Sequence, residues 1–221
     1  YTNTTGAYNT ASGAYALYNN TTADNNVAVG YKAAYNNTTA TYNTAVGYTA
    51  LFGATTGGYN TASGYAALYA NTTGASNVAV GHEALYNNST GIENIGIGYQ
   101  ARKQATTGTS NTAIGYVAHE AATTGNWNTA VGSNALMVTT NGYGNTAVGH
   151  QSINTNTTGY YNTAIGRSSG YITTTGHHNT SLGFAATPSS ATANGEMVLG
   201  DANVATLRCN TSTISSLSDA R

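Results

Sequence analysis

Histidine meets an acid or a second histidine at three places, His82-Glu83, His119-Glu120 and His177-His178. These residue types could contribute to proton transfer or to a metal site, but a metal needs three or four converging ligands. The two His-Glu pairs fall in different columns of the repeat described below, so stacking does not gather them. Neighbours on a strand point to opposite faces, which would split His177 from His178. The seven carboxylates, Asp24, Glu83, Glu93, Glu120, Glu196, Asp201 and Asp219, are spread thin. No glycine is followed by Lys-Ser/Thr in the frame of a phosphate-binding loop. The expectation is no catalytic residue, no metal and no cofactor, hence no enzyme.

A second set of residues could bind rather than react. Tyr31, Tyr48, Tyr65, His82, Tyr99, Tyr116, His150 and Arg167 recur at one position of the repeat, together with Ser133 and Asp201. Such variety marks an exposed column. Tyr18, Tyr35, Phe52, Tyr69, Tyr86 and Tyr171 form a second aromatic column four residues further on. At the spacing of β-strands, about 4.7 Å, rings in such columns stack on one another. An aromatic row can also hold a glycan against its apolar ring faces.

The element that positions all of these is a repeat. Its glycine stands at Gly13, Gly30, Gly47, Gly64, Gly81, Gly98, Gly115, Gly132, Gly149, Gly166, Gly183 and Gly200, always 17 residues apart. A period kept without insertion or deletion means a stack of equal units. Four residues before the glycine stands asparagine, at Asn9, Asn26, Asn43, Asn60, Asn77, Asn94, Asn111, Asn128, Asn145, Asn162 and Asn179, with Glu196 as the departure. Identical amides stacked at strand spacing can bond to one another and to turn backbone, so this column predicts a structural ladder.

Between asparagine and glycine runs Thr/Val, Ala, Val/Ile, as in Val27-Ala28-Val29 and Thr163-Ala164-Ile165, which suits a short strand. Alternation sends Val29, Val46, Val80, Ile97, Ile114, Val131, Val148, Ile165, Leu182 and Leu199 to one face, and Ala28, Ala45, Ala79 with the glycines to the other. Neither face is charged. The Val/Ile column is expected to fill the interior with Leu17, Leu51, Leu68, Leu85, Leu136 and Ile153, leaving the Ala/Gly strip outside for close approach of another chain. The opposite assignment, small residues fitting a thin interior, stays open. Ala or Ser three residues after the glycine marks a tight corner. Asn71-Thr72-Thr73-Gly74 and its equivalents read as turns, and a second short strand could lie between corner and turn. The fold class is therefore all-β, a β-solenoid or β-roll of twelve 17-residue rungs about 56 Å long. Residues 1–200 form the solenoid and 201–221, where the pattern fades, a separate C-terminal element that caps it.

Composition agrees with order by stacking. Charged residues are 6% of the chain, with one proline and eighteen tyrosines, and the net charge is −1. Six Lys and Arg spread over 221 residues build no basic face, which argues against nucleic acid. No long apolar segment predicts membrane insertion. Cys209, alone, predicts no disulfide within the chain. Asn-x-Thr triplets such as Asn20-Thr21-Thr22 follow from the turns. Because the first residues already sit in turn columns, the chain is expected to be a piece of something longer.

Two resemblances attach to these residues. The unit Asn-Thr-Ala-Val-Gly-x-x-Ala, over residues 1–200, resembles the head repeat of trimeric autotransporter adhesins, a left-handed β-roll in each of three chains. Leu207-Arg208-Cys209 followed by Thr213-Ile214-Ser215-Ser216-Leu217-Ser218-Asp219-Ala220-Arg221 resembles the junction before the endosialidase-type intramolecular chaperone of phage tail fibres and spikes. The first resemblance implies a parallel homotrimer. The second implies self-cleavage at a serine-aspartate bond, here Ser218-Asp219, by a chaperone whose catalytic residues would follow Arg221. Together they imply a virion tail-fibre segment, extracellular, giving a rigid shaft and attaching to a host cell-surface glycan or protein. The alternative is the head of a bacterial surface adhesin. A third reading, ice binding, comes from threonine columns such as Thr21, Thr38, Thr55 and Thr22, Thr39, Thr56.

Overall fold

The computed structural model describes residues 2–206. Within them each repeat contributes one three-residue strand, from β1 (Thr10–Ser12) to β12 (Met197–Leu199), and there is no helix among the described residues. The twelve strands form one parallel sheet in chain order. Every pairing joins equivalent residues one repeat apart, for example Ala28 with Ala45 and Ala45 with Ala62. The β-solenoid expected from the period is thus the architecture. The second short strand is not formed; the remainder of each rung is turn.

Backbone bonding between rungs nonetheless continues around the perimeter. The amide of Val27 donates to the Asn43 carbonyl at 2.8 Å and that of Gly30 to Ser12 at 2.8 Å. Beyond the strand, Lys32 donates to Ala14 at 2.9 Å, Ala34 to Ala50 at 2.9 Å and Asn36 to Phe52 at 3.1 Å. Backbone groups that a loop would leave to water are paired with the rung above or below, which is how a chain with little apolar volume stays ordered.

Two left-handed residues shape the corner. The positions two and four after the glycine have positive φ in most rungs, as at Lys32 (53°), Ala34 (48°), Thr49 (51°) and Leu51 (53°). This alternation turns two consecutive side chains, Ala50 and Leu51, inward together, which a strand cannot do. The repeat glycine carries a different requirement. Gly98 has φ +131°, and a Cβ there would collide with the Gly115 carbonyl of the next rung. No other residue fits.

The faces of the strand are the reverse of the leading expectation. Ala28, Ala45, Ala62, Ala79, Ala113, Ala130 and Ala147 are fully buried, while exposure of Val29, Val46, Val80, Ile97, Ile114, Ile165 and Leu199 runs from 36% to 46%. The interior is too thin for a β-branched column. At Gly96, which stands in the alanine column, even a Cβ would lie 2.9 Å from the Leu85 side chain. Strand alanines, corner alanines and the leucines Leu17, Leu51, Leu68, Leu85 and Leu136 fill the lumen between them. Residues 201–206 hold neither strand nor helix. Cys209 and the Ser218-Asp219 bond lie outside the described residues.

Candidate functional site

Three features of the rung are candidates for function: the outward strand face, the aromatic columns, and the lumen. The outward face carries two side chains per strand, one before and one after the buried alanine. The first is threonine in most rungs and Val, Ile or Met in the others; the second is mostly Val or Ile. Parallel pairing in one register makes two straight columns of them. Over eleven steps of about 4.8 Å and a column separation of about 7 Å, this is a stripe of roughly 350 Å². It carries no charged side chain, from Thr10 to Leu199. A patch of that size is of the order that the largest apolar patch on a monomer reaches, so what sets this one apart is its straight, uncharged run along the whole sheet.

The aromatic columns stack as their spacing predicts. One ladder runs Tyr31, Tyr48, Tyr65, His82, Tyr99, Tyr116, with ring centroids 4.8–5.3 Å apart. The other runs Tyr18, Tyr35, Phe52, Tyr69, Tyr86, at 5.0–5.4 Å. All eight residues of the expected binding column, including His150 and Arg167, are exposed. Arg167 lies over the Phe184 ring, 5.5 Å from its centroid. Stacking has a consequence for binding. Ring faces inside each ladder are covered by the next ring, so the ladders offer edges and phenol hydroxyls to a ligand rather than the faces a sugar would pack against.

Between the ladders lies a groove of about 320 Å³ floored by Thr49 and Ala66. Lys32 stands at one end, its ammonium 5.4 Å from the centroids of both Tyr31 and Tyr35. Glu83 stands at the other, paired with Lys103 at 2.8 Å and accepting from Gln100 at 2.8 Å. The hydrogen bond from Lys103 holds the Glu83 carboxyl below its ordinary range and Lys103 above its own. Both side chains are partly buried, 24% exposed at Lys103 and 19% at Glu83.

His177 and His178 are not split as expected. His177 makes an isolated parallel bridge to Asn194 and His178, at φ 59°, bends the chain, which brings their Nδ1 atoms 2.9 Å apart, with the His177 ring stacked on Tyr160 at 4.6 Å. No group of three metal-ligating side chains forms among the described residues. No helix there is long and apolar enough to cross a membrane. In the threonine columns behind the ice-binding reading, the first spends its hydroxyls on the next rung, as Thr38 donates to the Thr55 carbonyl at 3.0 Å, and the second is exposed, as at Thr39.

The lumen is lined by amides as well as alanine and leucine. Each ladder asparagine accepts the backbone N–H of the next: Asn145 Oδ1 takes the Asn162 amide at 3.0 Å, and Asn145 Nδ2 donates to the Gly159 carbonyl at 2.9 Å. At the last rung Glu196 keeps the backbone bond to Asn179 but turns its carboxylate to Ser189. A second buried amide column, Asn20, Asn37, Asn71, Asn88 and Asn156, lies in the segment that reads as turn. Asn71 Nδ2 donates to the Gly74 carbonyl at 2.9 Å. Where Ala54 and Ala105 interrupt this column, Asn37 Oδ1 and Asn88 Oδ1 are left without a protein partner.

Two polar residues stand in the lumen that the sequence did not place there: Arg102, which no motif singles out, and His119, noted only for its pairing with Glu120. Arg102 and His119 occupy the leucine column on consecutive rungs, and both are 0% exposed. The signal was present, as interruptions of that column. Arg102 Nη1 lies 3.4 Å from His119 Nδ1, and Nη2 donates to the Gly125 carbonyl at 3.4 Å. Burial lowers the guanidinium to about 9. Burial, then the neighbouring guanidinium, holds the His119 imidazole well below its ordinary value, so it is neutral. The chain matches no family model, no curated protein and no solved structure.

Proposed function

We propose that this chain is a structural and adhesive segment of an extracellular fibre, assembled as a parallel homotrimer, with the solenoid as its rigid shaft. The observation that carries the reading is the uncharged, half-exposed Val/Ile column running the length of the twelve-stranded sheet. A second copy of the chain supplies a matching stripe of the same length and period. The number three, and the setting of a phage tail fibre, rest on the resemblance of the repeat to trimeric adhesin heads and of Leu207–Arg221 to the chaperone junction. The head of a bacterial surface adhesin has the same mechanics and is the alternative. Host attachment, to a cell-surface glycan or protein, falls to the exposed column after the glycine and to the groove beside it.

Replacing outward residues tests the assembly. Val46→Lys with Ile114→Lys puts charges on the stripe without entering the lumen, so each chain keeps its β circular dichroism while the oligomer dissociates. An oligomer of unchanged size in that double variant would place the interface elsewhere.

A further inference from the structure

The chain carries eighteen tyrosines and a single cysteine, so no disulfide can tie one of its rungs to the next. Tyr42 and Tyr59 stand on successive rungs, 17 residues apart, with ring centroids at 5.0 Å and planes 12° from parallel. Asn25 and Ser76 occupy the same column on either side, so no third ring extends this stack. Exposures of 53% and 63% leave the two rings open to solvent and free to close on each other. Tyr143 and Tyr160 repeat the arrangement, at 5.0 Å and 2°.

We propose that these stacked pairs are sites of oxidative coupling, at which hydrogen peroxide, used by a peroxidase in one-electron steps, joins two rungs through a dityrosine bond. Each phenol gives one electron to the oxidant and its proton to solvent, leaving a radical shared between the oxygen and the ortho carbons. Two such radicals on facing rings form one carbon–carbon bond between ortho carbons, and the hydrogens displaced there return to the oxygens. The two electrons and two protons lost by the pair reduce one peroxide to two waters. Holding the partner ring in place makes the coupling intramolecular, which favours it over encounter between chains. The product is a covalent staple that closes a loop of one repeat, and a cross-link stabilises chiefly by restricting the unfolded chain. The site belongs to one chain and does not depend on the trimer.

Stacking and exposure predict different patterns. Tyr8 is the more exposed, at 86%, but its neighbour in the column is Asn25, so coupling set by exposure alone would start at Tyr8 and join separate chains. Tyr161 meets Tyr143 edge-on, at 81°, and the Tyr35–Phe52 stack lacks a second hydroxyl; neither pair should be joined.

Treating the full chain with hydrogen peroxide and a haem peroxidase, then mapping its peptides by mass spectrometry, tests the proposal. Peptides bearing Tyr42 and Tyr59 should be recovered joined, at the sum of their masses less two hydrogens, and those of Tyr143 and Tyr160 likewise. Tyr42→Phe keeps the stacked ring, so it should fold, lose the first cross-link and retain the second. Tyrosine peptides that stay unjoined, coupling concentrated at Tyr8 or between chains, or a Tyr59 that couples as much in Tyr42→Phe as before, overturns the proposal. The coupled chain should also melt at a higher temperature, and an unchanged midpoint refutes the staple.

Discussion

Asn145→Ala isolates what one rung of the amide ladder does. Asn145 Nδ2 donates to the Gly159 carbonyl and to Asn128 Oδ1, and Oδ1 accepts from the Asn162 amide at 3.0 Å and from Asn162 Nδ2 at 3.1 Å. After truncation most of these groups keep a partner. The Gly159 carbonyl retains Asn156 Nδ2 at 3.0 Å, Asn128 Oδ1 retains the backbone amide of residue 145 at 3.0 Å, and Asn162 Nδ2 retains the Gly176 carbonyl at 2.8 Å. Only the Asn162 N–H is orphaned, at about 1–3 kcal/mol for a buried donor. At about 1.36 kcal/mol per tenfold, that is ~5- to ~150-fold faster exchange of this amide with solvent deuterium. Hydrogen exchange resolved by residue reads it directly. The Asn128 amide, held by Asn111 Oδ1 at 2.9 Å, serves as the control two rungs from Asn162 and should keep its protection. An Asn162 amide that exchanges as slowly in the variant as in the wild type would refute the ladder as a stabilising device.

Other consequences follow from the same geometry. Gly98→Ala forces a side chain into φ +131° and against the Gly115 carbonyl, so it should cost more than ~3 kcal/mol and leave little folded protein, seen as loss of the β circular dichroism signal. His119 is neutral when folded and binds a proton when unfolded, because burial depresses its folded pKa. Stability is therefore fully present above pH ~6.5 and declines as pH falls below that unfolded value. The thermal midpoint should be lower at pH 5 than at pH 7.5, and His119→Leu should abolish that difference; the lowered carboxyls of Glu83, Glu196 and Asp201 act only further down, in the carboxylate range. Tyr65→Ala removes two stacked contacts, to Tyr48 and His82, and should destabilise by ~1–3 kcal/mol in denaturant melts.

Much of this fold is legible in sequence because a fixed period turns one-dimensional columns into neighbours. The strand at Thr44-Ala45-Val46, the asparagine ladder and both ring stacks follow from the interval of 17 alone. Which way the strand faces does not. Ala45 and Val46 are both apolar and no charge marks an outside, so the choice depends on lumen width. That width is set at the corner by left-handed residues such as Thr49 and Leu51, types that carry no signature of positive φ. The second amide column was hidden for a related reason: Asn71-Thr72-Thr73-Gly74 has the composition of a turn, and is one, but its asparagine points inward. His177 and His178 were misjudged because strand alternation fails at the positive φ of His178, just after the bridge that His177 makes to Asn194.

In the proposed trimer the outward Val/Ile stripe is covered by copies of the chain. Sedimentation equilibrium of residues 1–221 at micromolar concentration measures this most directly. It predicts a single species of three times the 22.5 kDa chain mass, unchanged on dilution. A folded monomer of 22.5 kDa that persists across the concentration range would contradict it.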